Sequence, residues 1–123
     1  MTRTSSRPYP SIGTRSETRG TVDGGWGVYA AKPRPAVIVQ DDVFELTESV
    51  TVAPLTTTLT DAPLLRLRVP AGGLAGLTHD SDVMVDKLTT VRRSNVQVRI
   101  GRLSSQQMVE LERLMMTFLG MAR

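Results

Sequence analysis

From residue 36 to residue 100 the chain is dominated by short stretches in which apolar and polar positions alternate. Val50 and Val52 alternate with Ser49 and Thr51, and Leu65, Leu67 and Val69 alternate with Arg66 and Arg68. Val83 and Val85 repeat the pattern, as do Val96, Val98 and Ile100 around Gln97 and Arg99. A period of two places every second side chain on one face, so these stretches predict half-buried strands over 49–55, 65–69, 82–88 and 96–100. Ala36-Val37-Ile38-Val39 is instead an unbroken apolar run, which predicts a strand buried on both faces. Asp23–Gly27, with three glycines, predicts a turn, and Val28–Ala30 a short strand before the buried one. At Ser104 the period changes to that of a helix. Met108, Leu111, Met115 and Phe118 share one face, joined by Leu114 and Leu119, and Glu110, Glu112, Arg113 and Thr117 lie opposite. Ser104 with Gln107 three residues on is a capping box, and Gly120 stands where a glycine stop belongs. The fold class expected is mainly β: five or six short strands in a small, strongly curved antiparallel barrel, with a C-terminal helix lying across it. Residues 1–18 have no periodic apolar pattern and read as a disordered tail, leaving residues 19–123 as one domain.

Composition narrows this picture. Apolar residues make up 40% and aromatic residues 4% of the 123 positions, so Val, Leu, Ile and Met must build the core. There is no cysteine, which excludes disulfides and thiolate metal sites and suits a reducing compartment such as the cytoplasm. No stretch has the length of a membrane span, and the first twenty residues lack the apolar centre of a secretory signal. The net charge of +3 belongs entirely to residues 1–20, and the remainder is balanced. Distribution is more telling. Between Lys87 and Arg102 stand Lys87, Arg92, Arg93, Arg99 and Arg102 with no acid among them, a local field able to attract an anionic polymer.

The candidate chemistry lies at strand ends. In Lys32-Pro33-Arg34-Pro35 two prolines bracket an arginine at the entrance to the buried strand. Proline fixes φ and pushes the preceding residue into extended geometry, so Arg34 has little backbone freedom. Thr56, with Thr57 and Thr58, leaves the strand that follows, and Lys87 comes late in another. Each has an ordinary reading: a solvated rim arginine, hydroxyls that cap a turn, a lysine paired with Asp86 or Asp82. His79 reads as a surface residue, and Trp26 as a cover for the barrel mouth. The methionines of the terminal helix read as core and dimer contacts. No Ser/His/Asp set, phosphate loop or His/Asp/Glu group at metal-ligand spacing is present. What remains is cations, hydroxyls and backbone donors, an inventory that suits a phosphodiester, where positioning and charge stabilisation supply most of the rate.

Five stretches, in order, resemble the MazF/PemK family of toxins. They are Arg19-Gly20-Thr21-Val22; Lys32-Pro33-Arg34-Pro35 with Val37-Ile38-Val39-Gln40-Asp41-Asp42; Val50 through Pro54-Leu55-Thr56; Gly76-Leu77 through Asp80-Ser81 to Val85-Asp86-Lys87; and Arg99-Ile100-Gly101-Arg102-Leu103. The resemblance implies a Src-homology-3-like barrel of the CcdB/PemK type and a homodimer. It implies a toxin of a type II toxin–antitoxin pair, acting as a sequence-selective endoribonuclease on single-stranded RNA without a metal or other cofactor. It further implies attack by the substrate's own 2′-hydroxyl, with Arg34 and Thr56 catalytic and Lys32, Gln40, Thr57, Lys87 and Arg92 on the RNA. The expected partner besides RNA is an antitoxin with an acidic, disordered segment. The loop between Arg19 and Arg34 is short, Gly- and Ala-rich and without glutamate, so no general base is assigned. The alternative is a binding protein on the same barrel, either a CcdB-like binder of a topoisomerase or a toxin that only holds its antitoxin. CcdB-like chains lack the Arg-Pro motif before the buried strand, so Arg34 and Thr56 favour the enzyme.

Overall fold

The computed structural model describes residues 11–16 and 33–121. Seven strands form one antiparallel sheet: β1 (Ser11–Ser16), β2 (Pro33–Ile38), β3 (Ser49–Thr56), β4 (Arg66–Val69), β5 (Ser81–Met84), β6 (Thr89–Arg92) and β7 (Val96–Arg102). Helix α1 (Ser105–Phe118) ends the chain. The strand order is β4-β5-β3-β2-β1-β7, with β6 pairing with β3 beside β5. The mainly-β architecture with a terminal helix is therefore the one expected.

Strand β3 is shared by three neighbours. One edge pairs with β2, with Ala36 opposite Pro54 and Ile38 opposite Val52. The other edge pairs with β6 from Ser49 to Val52, then with β5 at Leu55 and Thr56. Pro54 falls in the gap between those two ladders. Val39 N–H donates to Thr51 O at 3.1 Å, so odd-numbered residues of β3 turn their amides toward β2. The missing amide of Pro54 thus faces the gap, where no ladder bond is lost.

The two faces of this sheet bury different cores. Val37, Ala53, Leu55, Val83 and Val85 pack with Leu103 and Leu111 of the helical segment. Ala36, Val50 and Val52 pack on the opposite face with Ile38, Val91 and Val96. Burial on both faces explains the unbroken apolar run of β2. Helix α1 begins at the expected capping box: Ser104 Oγ accepts from Gln107 N–H at 3.1 Å, and Gln107 Oε1 accepts from Ser104 N–H at 2.8 Å. It ends at Gly120, whose φ of 75° lets Met121 N–H return to Met116 O at 2.8 Å. Of its apolar face only Leu111 is fully buried, and Phe118 is exposed.

Several expectations need correction. Ser11–Ser16, placed in a disordered tail, forms β1 and bridges β2 and β7. Arg19–Val22, the Asp23–Gly27 turn and the Val28–Ala30 strand lie outside the described residues. The strand predicted over 82–88 stops at Met84, and Val85–Lys87 is a 3-10 turn. That turn lets Val85 stay buried while the chain swings back to pair β6 with β3. Thr89–Arg92 is a further strand, lying between the stretches predicted over 82–88 and 96–100.

Two contacts hold loops to this frame. The turn Gly73–Ala75 lies so close to β7 that a Cβ on Gly101 would strike the carbonyls of Leu74 and Ala75. A Cβ on Gly76, whose φ is 70°, would strike Ile100 O. The Asp41–Glu48 loop is tied down by Arg93, whose Nε donates to Thr47 O at 2.7 Å and whose Nη2 donates to Phe44 O at 3.1 Å. Gln40 ties its other side, with Oε1 accepting from Thr51 N–H at 3.0 Å and Nε2 donating to Phe44 O at 3.3 Å.

Gly101→Ala is expected to cost about 1–3 kcal/mol through overpacking against backbone that cannot yield. Thermal denaturation should then show a melting temperature lower by at least about 5 °C. Arg93→Ala should leave the melting temperature closer to wild type but loosen one loop. Hydrogen exchange should accelerate on the order of tenfold at the amides of Thr47 and Arg93, and not in β2 or β5.

Candidate active site

Arg34 lies on β2 between Pro33 and Pro35, is exposed, and stands opposite Arg15 in the β1–β2 register. The β2–β3 ladder ends at Ala36 and Pro54 because Pro35 has no amide to extend it. Continued two residues outward, the same register sets Arg34 across from Thr56, at a non-hydrogen-bonded position where side chains come closest. Thr56 is in turn paired with Asp82 on β5, and Asp82 with Arg68 on β4. Residues in register point to the same side of a sheet. Arg34, Thr56, Asp82 and Arg68 therefore form a row across four neighbouring strands, on the face opposite Leu55 and Val83.

The row alternates cation, hydroxyl, carboxylate and cation. Thr56 Oγ1 accepts from Thr58 N–H at 3.1 Å, a local turn that fixes the hydroxyl and leaves its own proton to donate outward. Asp82 is 0% exposed, and its carboxylate is fully engaged. Oδ1 accepts from Arg68 Nε at 2.5 Å. Oδ2 accepts from Thr60 N–H at 2.9 Å and faces Arg66 Nη1 at 3.5 Å. The same Arg66 nitrogen reaches Thr58 O at 3.3 Å. Burial pushes the Asp82 carboxyl up, but the Arg68 hydrogen bond, the Thr60 amide and the charges of Arg68 and Arg66 outweigh it and hold it below its ordinary value. Arg68 is held above its ordinary value, first by its hydrogen bond to Asp82.

The predicted site residues divide. Thr57 is exposed immediately after Thr56. Lys87 is 58% exposed with Nζ 3.9 Å from Asp86 Oδ2, so it pairs with the acid beside it and not with Asp82. Arg92 stands opposite Ser49, at the far end of β3 from Thr56, and within one protomer is not brought to the Arg34 row. Gln40 is also at that far end, with its amide occupied as a loop anchor and not turned to a groove. Lys32 lies outside the described residues. His79 is exposed, as expected, with Nδ1 3.0 Å from Thr78 Oγ1. The residues that sequence reasoning missed are Asp82, Arg66 and Arg68. Their signal was the Leu-Arg-Leu-Arg alternation of β4, which puts both arginines on one face, but nothing in the sequence said that a carboxylate would be buried beneath them.

Comparison with known proteins gives this geometry its context. Residues 21–119 match the family described as PemK-like, MazF-like toxin of type II toxin–antitoxin system. Over 96 residues the chain is 51% identical to a probable endoribonuclease MazF of Mycolicibacterium smegmatis (strain ATCC 700084 / mc(2)155), covering 78% of this chain and 88% of that relative. The structure superposes on the Mycobacterium tuberculosis toxin MazF-mt6 with a TM-score of 0.67 at 23% identity, covering 90% of this chain and 99% of the other. It matches an endoribonuclease in complex with its cognate antitoxin from a mycobacterial species with a TM-score of 0.67 at 22% identity, covering 95% and 99%. A MazE–MazF complex from Deinococcus radiodurans gives 0.67 at 16% identity, covering 91% and 93%. Those structural likenesses establish the fold, and the match over most of the chain establishes the lineage: the protein belongs to the PemK/MazF family of toxins of type II toxin–antitoxin systems.

Proposed function

We propose that this chain is the toxin of a type II pair and a metal-independent endoribonuclease that cuts single-stranded RNA at selected sequences. The observation that carries the reading is the register that sets Arg34 across from Thr56 at the open end of β2 and β3. In the proposed reaction the substrate 2′-oxygen attacks the adjacent phosphorus and the bond from phosphorus to the 5′-oxygen breaks. The 2′-hydroxyl gives up its proton to a base, and the leaving 5′-oxygen takes one. The products are a 2′,3′-cyclic phosphate and a 5′-hydroxyl. The nucleophile belongs to the RNA, so the protein supplies charge and orientation. Arg34 donates two coplanar hydrogen bonds to the phosphate oxygens as charge builds on them, and the Thr56 hydroxyl donates a third. Thr57, next to Thr56, holds a flanking phosphate or base, and Lys32 and Lys87 add charge along the RNA.

The partners follow from the same surface. An acidic, disordered segment of an antitoxin meets the field that attracts RNA. A second copy of the chain covers the apolar recess of about 210 Å³ formed by Val39, Met108, Leu111, Met115, Met116 and Leu119. Among the described residues no helix is long and apolar enough to cross a membrane. The cysteine-free composition and an RNA substrate support work in the cytoplasm.

Removing a preorganised donor of this kind lowers the rate on the order of a hundredfold to a thousandfold. Arg34→Ala and Arg34→Lys should both melt near the wild-type temperature and cleave a mixed-sequence RNA that much more slowly in EDTA. Thr56→Ala should act likewise to a lesser degree. Cleavage by Arg34→Ala at the wild-type rate would remove the arginine from the mechanism. A wild-type protein inert on varied RNAs would leave a chain that only binds its antitoxin. The dimer has its own check. Leu119, half exposed at the helix end, becomes a buried charge in Leu119→Asp, and sedimentation should then report a monomer.

A further inference from the structure

One fully buried carboxylate, bonded at both oxygens, has no part in the reaction as written. Asp82 is completely buried on the side of the sheet away from the main core, and its two oxygens take bonds from two arginines of β4 and from the loop before it. A buried carboxylate is costly unless its lone pairs are filled, and here they are filled by Arg66, Arg68 and the backbone of Thr60. Those bonds converge on one short segment. Thr60 N–H is held by Asp82 directly at 2.9 Å, and Thr58 O is held by Arg66, which Asp82 anchors. Thr58 N–H in turn is the donor that fixes the Thr56 hydroxyl. The segment has little else to order it. Thr57, Thr58, Leu59 and Thr60 are all exposed, so apolar burial contributes little to their position.

We propose that Asp82 is a positioning residue for the proposed ribonuclease reaction: through Thr60 and through Arg66 it locks the turn after β3, and so aims the Thr56 hydroxyl at the phosphate held by Arg34. The proposal rests on the reading of Thr56 as catalytic. Arg68 serves as the counter-ion that keeps the carboxylate charged beneath the sheet surface. Asp80 and Asp61 are the next acidic groups near Arg68, and neither takes its hydrogen bond. Asp82 stays anionic throughout the neutral range, because its partners hold it below its ordinary value. Its contribution to stability is complete above the ordinary carboxylate range and is lost as the pH falls through its lowered value.

The test is a set of single-turnover rates on one short RNA that the wild-type protein cuts. Asp82→Asn keeps the shape of the side chain but turns N–H groups toward guanidinium groups that cannot accept them. It should lose about tenfold to a hundredfold in rate, the scale of a misaimed group, with RNA affinity within about twofold of wild type. Added to Thr56→Ala, the same change should cost nothing further, because the hydroxyl it aims is already gone. A merely structural role would not produce that pattern. Arg66→Met serves where Asp82→Asn fails to fold: it leaves the Arg68 pair and the Thr60 bond and removes the strap to Thr58 together with its anchor on Asp82. It should slow cleavage about threefold to tenfold and melt near wild type. Wild-type rates for Asp82→Asn and Arg66→Met, with Thr56→Ala slow, would overturn the proposal. So would losses that multiply with Thr56→Ala. Thr56→Ala cutting at the wild-type rate would overturn the catalytic reading itself and this inference with it.

Discussion

Eight residues of β3 have to satisfy three neighbouring strands, and most of the structure follows from how they do it. One edge is given wholly to β2. The other is divided, with β6 on the first half and β5 on the second. A proline at the division removes the only amide that would point into the gap. The sheet therefore turns at Pro54 without leaving a buried donor unpaired. Beyond the turn lies Thr56, and across from it the register of β2 delivers Arg34. The candidate site stands where it does because three ladders end between Val52 and Thr56.

That location has an electrostatic cost. Arg34, Arg66 and Arg68 come from strands at the same end of the sheet, and like charges repel. Asp82 is the acidic group threaded into this set, and burial beneath the arginines makes it effective because little water screens it. The arrangement keeps Arg34 and Arg68 exposed while the anion is turned inward. An exposed acid at the same place would repel RNA. The far end of β3 is organised differently: Gln40 and Arg93 spend donors on the backbone of the Asp41–Glu48 loop, and the Gln40 oxygen accepts from Thr51 N–H of β3. Two residues of similar polarity to those at the open end thus serve architecture.

The parts legible in the sequence were those with a strong local signature. The buried β2 run, the alternation of β3, β4 and β7, and the capping box of α1 each occupy consecutive residues, and each was found. Arg34 and Thr56 were picked out as candidates through their motifs. What escaped depends on partners distant in sequence. Val85 looks like the continuation of a strand because it is buried, but its burial comes from a turn that reverses toward β6. Thr89–Arg92 carries one apolar residue and becomes a strand only because Ser49–Val52 offers it an edge. Ser11–Ser16 has no apolar rhythm and is held by β2 and β7. Arg93 reads as a free cation until the carbonyls of Phe44 and Thr47 are seen around it. Asp82 sits on the polar phase of its strand and is buried by side chains from β4, a fact no pattern within residues 81–84 contains.

The meeting of Gly76 and Gly101 has a consequence for how such a protein is surveyed. At these two glycines the loop and β7 meet through backbone, and nothing at either position can be trimmed. Scanning by truncation, which grades a contact by what is lost when a side chain is shortened, would find no side chain to remove and would score the exposed residues around Gly72–Leu74 as dispensable. The contact reveals itself only to the reverse operation, the addition of a single methyl group. Where a fold is joined by close backbone, its weak points are the places at which something can be added.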